Sequence, residues 1–230
     1  MSEPSPANSD KPPVSDSVRV QILATEHWGL LATRSMLWNE VFTRASMFLT
    51  TLSAVVVALA LVAQVSDFGS QFRSFALLVL PVVLFLGIAT HMRLSAALEQ
   101  EAWTVIGMNR LRHAYLDIAP DLEPYFITSQ YDDFPSVLLS AGQYTRFRPS
   151  MAISSTPLIV AVLVSVLAGV IAALVAQTMS AEDTMGTTIG ITVALVVAVV
   201  MIGVIPYREI RRMSTEYEPR FPREESPPEP

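Results

Sequence analysis

The chain has 230 residues, of which 51% are hydrophobic and 16% are charged, and its formal net charge is −6. Soluble domains average about 25% charged residues, so this composition favours a protein that lies in a membrane. The sequence contains no cysteine, which excludes disulfides, thiolate metal sites and cysteine nucleophiles among these residues. The acidic balance, with one lysine in the chain, gives no basic surface of the kind that binds nucleic acid.

The N-terminal residues 1–16 are polar, mildly acidic and rich in proline. They lack the basic stretch followed directly by an apolar stretch that marks a cleavable signal peptide. We therefore predict that residues 1–16 form a disordered tail and that the first apolar stretch stays in the mature protein.

Four long stretches contain no Asp, Glu, Lys or Arg: 45–66, 74–92, 149–181 and 184–207. A bilayer core about 30 Å thick requires about 20 apolar residues in a helix, and each stretch is long enough. We predict an all-α fold, a four-transmembrane-helix bundle, with spans at about 45–65, 74–92, 157–178 and 186–206.

The basic residues are distributed unevenly between the two sides of these spans. Arg73 is the only one of the 15 that lies in either short turn between paired spans. Because arginine and lysine accumulate in cytoplasmic loops, both turns are expected outside the cell. Both termini are then cytoplasmic, and the protein is multi-pass in the plasma membrane, which is the inner membrane in bacteria.

The first two spans are expected to continue into the cytoplasm as an antiparallel helical stalk made of residues 17–44 and 93–118. Each segment has an apolar stripe at helical spacing. If Arg44 lies level with Arg93, the stalk brings opposite charges together. This register predicts Glu99 and Glu101 near Arg34 and Trp38, and it predicts Arg110 and Arg112 near Glu26.

Two other segments complete the domain organisation, which runs 1–16, 17–118, 119–148, 149–212 and 213–230. Residues 119–148 are rich in turn-forming residues and are predicted to be a cytoplasmic connector with a short helix near 136–141. Pro206 is expected to close the last span. The acidic, proline-rich residues 213–230 are predicted to be disordered.

Residues 109–126, NRLRHAYLDIAPDLEPYF, resemble a segment of uncharacterised four-span integral membrane proteins of high-GC, actinobacterial-type bacteria. This resemblance covers the stalk and the spans and implies no activity. The chain is also faintly similar to small membrane effectors of bacterial defence systems, which join paired spans to a cytoplasmic helical region, although no diagnostic motif supports that similarity.

Small residues recur at every fourth position in three of the spans. In lipid, helices associate by close backbone approach across such residues, so these positions are predicted to pack helices within the chain or between subunits. The candidate helix-packing residues are Ser46, Thr50, Ala54 and Ala58 in the first span, Ala161, Ser165, Gly169 and Ala173 in the third, and Gly186, Gly190, Ala194 and Ala198 in the fourth.

No ionisable residue lies in the middle of a span; His91, beside Arg93, is expected at the membrane interface. This pattern argues against a proton-coupled carrier or a pump. A passive pore remains an alternative, and its polar lining would be Thr50, Ser53, Gln64 and Gln177.

Two groups of residues were weighed as metal sites. His27 and His113, with Glu26 and Asp117 nearby, have the ligand types that suit zinc. Asp132 and Asp133 could hold a divalent cation, but capping of a loop is the favoured role. Recognisable catalytic motifs are missing, so no catalytic, cofactor-binding or metal-binding residue is predicted.

These patterns favour a non-enzymatic, self-associating membrane component or scaffold with a cytoplasmic interaction stalk. Its expected partners are the lipid bilayer and either a second copy of the chain or a membrane or cytoplasmic protein, and not nucleic acid. The alternative is a passive channel or a pore-forming membrane effector.

Overall fold

A computed structural model of the protein describes residues 14–142, 155–179 and 182–223. The predicted disorder of residues 1–13 and 224–230, and the end of the predicted connector at 143–148, lie outside the described residues. Every regular element within those described is helical, which confirms the all-α fold. The helices are α1 (Asp16–Ser66), α2 (Ser70–Ile118), α3 (Phe134–Ser140), α4 (Thr156–Thr178), α5 (Asp183–Ala198) and α6 (Ile205–Glu216). A 3-10 helix covers Pro120–Tyr125, and a π-helix covers Val199–Val204.

Helices α1 and α2 are the longest elements, with 51 and 49 residues. At 1.5 Å per residue each is about 75 Å long, more than twice the thickness of a bilayer core. The chain reverses between them at Asp67 and Phe68, which both have left-handed backbone angles, with φ of 46° and 56°. Each helix therefore holds an apolar span and a long polar continuation, as predicted, and we call residues 16–44 and 93–118 the stalk.

Four helical segments are long and apolar enough to cross a membrane: α1, α2, α4 and the continuous helix 184–216. They lie in a row in which α2 packs between α1 and α4, and α4 packs between α2 and α5. The two outer helices are therefore the more open: 11% of the most apolar window is buried in each, against 33% in α2 and in α4.

The row is held together where α1, α2 and α4 meet. Phe48 and Val164 are fully buried, and both fill the space beside Gly87. A Cβ atom at Gly87 would lie 2.7 Å from Val164 Cγ2 and 2.8 Å from Phe48 Cε2. A real Cβ atom essentially never lies within 3.0 Å of another heavy atom, so a side chain at position 87 would push the helices apart. Glycine at this position therefore lets the three helices converge.

The helix that contains the last span does not end at Pro206, although the apolar stretch does. Proline lacks a backbone N–H, and its ring crowds the carbonyl four residues earlier. The chain accommodates it by widening into the π-helix just before it, where the Ile205 N–H bonds to Val200 O. The helix then continues through α6 to Glu216.

Candidate interaction sites

The third and fourth spans pack through the predicted small residues. A Cβ atom on Gly169 would lie 2.6 Å from Gly190 O, and one on Gly190 would lie 2.7 Å from Gly169 O. The two backbones are therefore in direct contact. Gly186 lies in the same interface, where a Cβ atom on it would be 3.0 Å from the Gln177 side chain.

The structure places the remaining small residues in two different environments. Ala161 and Ser165 are buried, while Ala173, Ala194 and Ala198 are half-buried. In contrast, most of the stripe in the first span has no partner among the residues that the structure describes, because Ser46, Thr50 and Ala54 are exposed and Ala58 is half-buried.

Glu101 fixes the register of the stalk. Its carboxylate accepts a hydrogen bond from Arg34 Nε at 2.7 Å and another from Trp38 Nε1 at 3.2 Å. This contact confirms the predicted register for Glu101, whereas Glu99 is exposed. A few ångströms of sliding between α1 and α2 would break both bonds and leave a largely buried carboxylate without a partner.

A second ion pair lies where the stalk meets the spans. Arg93 Nη2 is 2.7 Å from one Glu40 oxygen, and Arg44 Nε is 2.8 Å from the other. Hydrogen bonds from Arg93 and then Arg44 lower the pKa of Glu40 to about 2. The group therefore stays ionised at any physiological pH and keeps both helices in register.

Asp132 binds the C-terminal segment, residues 217–223, and holds it against the stalk. Its buried carboxylate accepts hydrogen bonds from Arg110 Nε at 2.8 Å and from the Tyr217 hydroxyl at 2.8 Å. It also accepts bonds from the backbone N–H groups of Arg220 at 3.1 Å and Phe221 at 2.8 Å. In return, the Asp132 N–H donates to Phe221 O at 3.1 Å.

Aromatic contacts extend this site along α2. Trp103 meets Tyr217 edge to face with ring centroids 5.5 Å apart, and His113 stacks on Phe221 at 4.2 Å. The prediction of disorder from residue 213 is therefore wrong for 213–223: α6 continues to Glu216, and the next residues bind the stalk.

The predicted partner of Arg110 is also wrong, because Asp132 takes the place expected for Glu26. Arg112 bonds instead to Asn109, at 2.7 Å.

Asp133 plays the predicted capping role. Its side chain accepts a hydrogen bond from Ser136 N at 2.9 Å at the start of α3. Its second oxygen accepts one from Arg223 N at 2.8 Å. The carboxylate oxygens of Asp132 and Asp133 therefore accept hydrogen bonds from backbone and side-chain donors of the chain itself.

The zinc hypothesis for His27 and His113 gains no metal geometry. Among the residues that the structure describes, no three His, Asp or Glu side chains converge closely enough to hold a metal ion. His91, which was expected at the membrane interface, is buried inside the protein and is 2% exposed. The backbone of Pro157 and of Met201, in the π-helix, lies close to its ring.

The structure does not bring together the polar residues that were weighed as a pore lining. Thr50, Ser53 and Gln64 are exposed on α1, while Gln177 lies at the interface of α4 and α5. The Ser53 hydroxyl donates to Leu49 O of its own helix at 2.8 Å. A pore through a single copy would need these side chains to face one another, and they do not.

Sequence and structure together define a helical protein with four candidate membrane spans and a long two-helix stalk. Comparisons with models of protein families, with curated proteins and with solved structures found no match. Its function must therefore be inferred from the geometry alone.

Proposed function

We propose that the protein is a non-enzymatic component of the plasma membrane that self-associates through its spans and presents its stalk to a cytoplasmic partner. The observation that carries this proposal is the construction of the stalk. It extends about 40 Å beyond the spans, it is held in one register by Glu101 and Glu40, and the C-terminal segment is bound to it through Asp132.

Each of these contacts makes the stalk more rigid, and none of them forms a reactive cluster. A rigid body that projects from a membrane suits the display of a binding surface, because little conformational entropy is lost when a partner binds. The cytoplasmic placement is inferred from the distribution of arginines, and the resemblance to four-span membrane proteins of bacteria agrees with an inner-membrane location.

Chemical crosslinking in native membranes, followed by purification in mild detergent, tests this proposal. Wild-type protein should give a covalent oligomer of fixed size. Glu101→Gln, which weakens the register of the stalk, should lower the yield of any species crosslinked through residues 16–44 or 93–118. Asp121→Asn, at an exposed carboxyl in the 3-10 helix, is the matched control. A product that stays monomeric under every condition would refute the proposal.

A pore-forming role is the second candidate, and the position of Thr50 and Ser53 decides what form it takes. Because both are exposed on the outer side of α1, a pore would have to form between copies. Reconstituted protein should then raise ion flux across liposomes, and Ser53→Leu should lower it. Unchanged flux at all protein densities would remove this alternative.

A further inference from the structure

The side of α1 that faces away from α2 has an uncharged surface that runs without interruption from the stalk into the span. We define this surface, the α1 seam, by two rows of residues at seven-residue spacing. One row is Thr25, Ala32, Asn39, Ser46, Ser53 and Ala60; the other is Trp28, Ser35, Phe42, Leu49 and Val56. Every one of these residues is exposed.

The charged residues of α1 all lie elsewhere on the helix. From Asp16 to Arg44 they occupy positions that flank or face α2, where Arg34 and Glu40 form the ion pairs of the stalk. The exposed side of a helix in water is normally its charged side. Here the solvent side of the stalk instead presents Trp28 at 69% exposure and Met36, beside the seam, at 73%.

Two helices that pack in a left-handed coiled coil meet along positions spaced by seven residues, and the two rows of the seam have the geometry of the a and d positions. The seam covers about 35 residues, or roughly 54 Å. A strip of that length and about 10 Å in width would bury on the order of 1,000 Å² in total over two partners, which is about the minimum area of a biological interface. A shallow groove lined by Asn39, Phe42, Ser46 and their neighbours already marks the middle of the seam.

We infer that the occupant of the α1 seam is the α1 seam of a second copy, in a parallel, two-fold symmetric pair. This inference rests on the proposed self-association and assigns its surface. Two copies inserted in one membrane run in the same direction, so each seam residue meets its own counterpart. Any charge on the seam would then face a like charge, and the seam has none. A surface that binds a different protein could carry charges, because the partner could present opposite charges to them.

The residues of the seam suit this arrangement. Small side chains let the two spans approach closely in lipid, as Gly169 and Gly190 do between α4 and α5. The Asn39 amide both donates and accepts hydrogen bonds, so it can pair with its counterpart and fix the register, as a single asparagine does in other two-stranded coiled coils. Trp28 and Phe42 supply the apolar area in the stalk.

The absence of cysteine makes the pairing directly measurable. Ser35→Cys in the stalk and Ser53→Cys in the span should each form a disulfide-linked dimer on mild oxidation of native membranes, since counterparts would lie within disulfide reach. Ala96→Cys on α2 and Leu195→Cys on α5, at exposed positions outside the seam, are the controls. At least tenfold more dimer is expected at the two seam positions than at the controls. Equal or greater crosslinking at the controls would overturn the inference.

A second experiment separates the seam from self-association in general. Ala32→Glu puts two like charges opposite each other and should lower the Ser53→Cys crosslink at least tenfold. Thr33→Glu, at the adjacent exposed position off the seam, should leave it unchanged. If native mass measurement shows an oligomer that Ala32→Glu does not disturb, the seam is wrong but the proposed function stands. A monomeric wild-type protein would refute both the seam and the proposed function.

Discussion

Asp132 shows how much can depend on one buried carboxylate. Burial by itself would raise its pKa, but the hydrogen bonds from Arg110, Phe221 and Tyr217 outweigh burial, and its pKa is lowered from the ordinary 3.8. A group whose pKa is depressed in the folded state stabilises that state fully above its ordinary pKa and loses this effect as the pH falls through the depressed value. The C-terminal segment should therefore stay bound to the stalk at physiological pH.

Asp132→Asn should release the C-terminal segment from the stalk. The substitution leaves Arg110 without its anionic partner and turns an amide toward donors that need an acceptor, at a cost of about 3 kcal/mol. Trypsin should then cut after Arg220 and Arg223 at least ten times faster than in wild-type membranes.

Asp121→Asn, which alters an exposed carboxyl in the 3-10 helix, provides the control for trypsin digestion and should match wild type. Wild-type cleavage rates in Asp132→Asn would mean that the aromatic contacts of Tyr217 and Phe221 hold the segment without the carboxylate.

At the scale of the elements, the pairing of α4 and α5 depends on the contact between two glycines. Gly190→Ala should weaken this pairing, because even one methyl group would lie 2.7 Å from Gly169 O and 2.9 Å from the Ala173 Cβ atom. The strain should cost about 1–3 kcal/mol and lower the thermal midpoint of the protein in detergent.

Gly203→Ala is the matched control, because nothing lies within 4 Å of a Cβ atom at that position. It should leave the midpoint unchanged or raise it, since alanine favours helical backbone over glycine. An equal loss of stability in both variants would show that helix propensity, rather than close packing, decides the outcome.

The elements that the sequence predicts well are those set by local pattern. Apolar length fixed the four spans, and charge pairing between neighbouring helices placed Glu101 beside Arg34. The missed features depend on contacts between distant parts of the chain. Asp132 lies 85 residues before Tyr217, and no periodicity links them; the helix of the last span continues past Pro206 to Glu216, and Tyr217 follows directly. The exposure of Ser46 likewise follows from the row arrangement of the helices.

Among the contacts that join the α1–α2 hairpin to the C-terminal half of the molecule, two lie far apart. One is the convergence of Phe48 and Val164 on Gly87 among the spans, and the other is the C-terminal segment on Asp132 at the stalk. Because these contacts lie at different heights along α2, they fix both the position and the tilt of one half against the other. The outer side of α1 takes part in neither, so it stays available for a partner.

The proposed orientation of the whole molecule in the membrane rests on the distribution of its arginines, and topology reporters test it. Reporter domains inserted at Gly69 and Asp183 should be active outside the cell, and domains fused at Asp121 or at the C-terminus should be active inside. The uncharged stretches of the first two spans are separated by residues 67–73, which carry one basic residue, Arg73, at the start of α2; the other 14 lie on the opposite side of the spans.

Adding charge to that turn tests the cause of the orientation as well as its direction. Ser70→Arg with Gln71→Arg should lower the external signal at Gly69, because more guanidinium groups would have to cross the membrane during insertion. Ser70→Asn with Gln71→Asn is the uncharged control and should leave the signal as in wild type. An internal signal at Gly69 in the unaltered protein would place the stalk outside the cell, where no cytoplasmic partner could reach it.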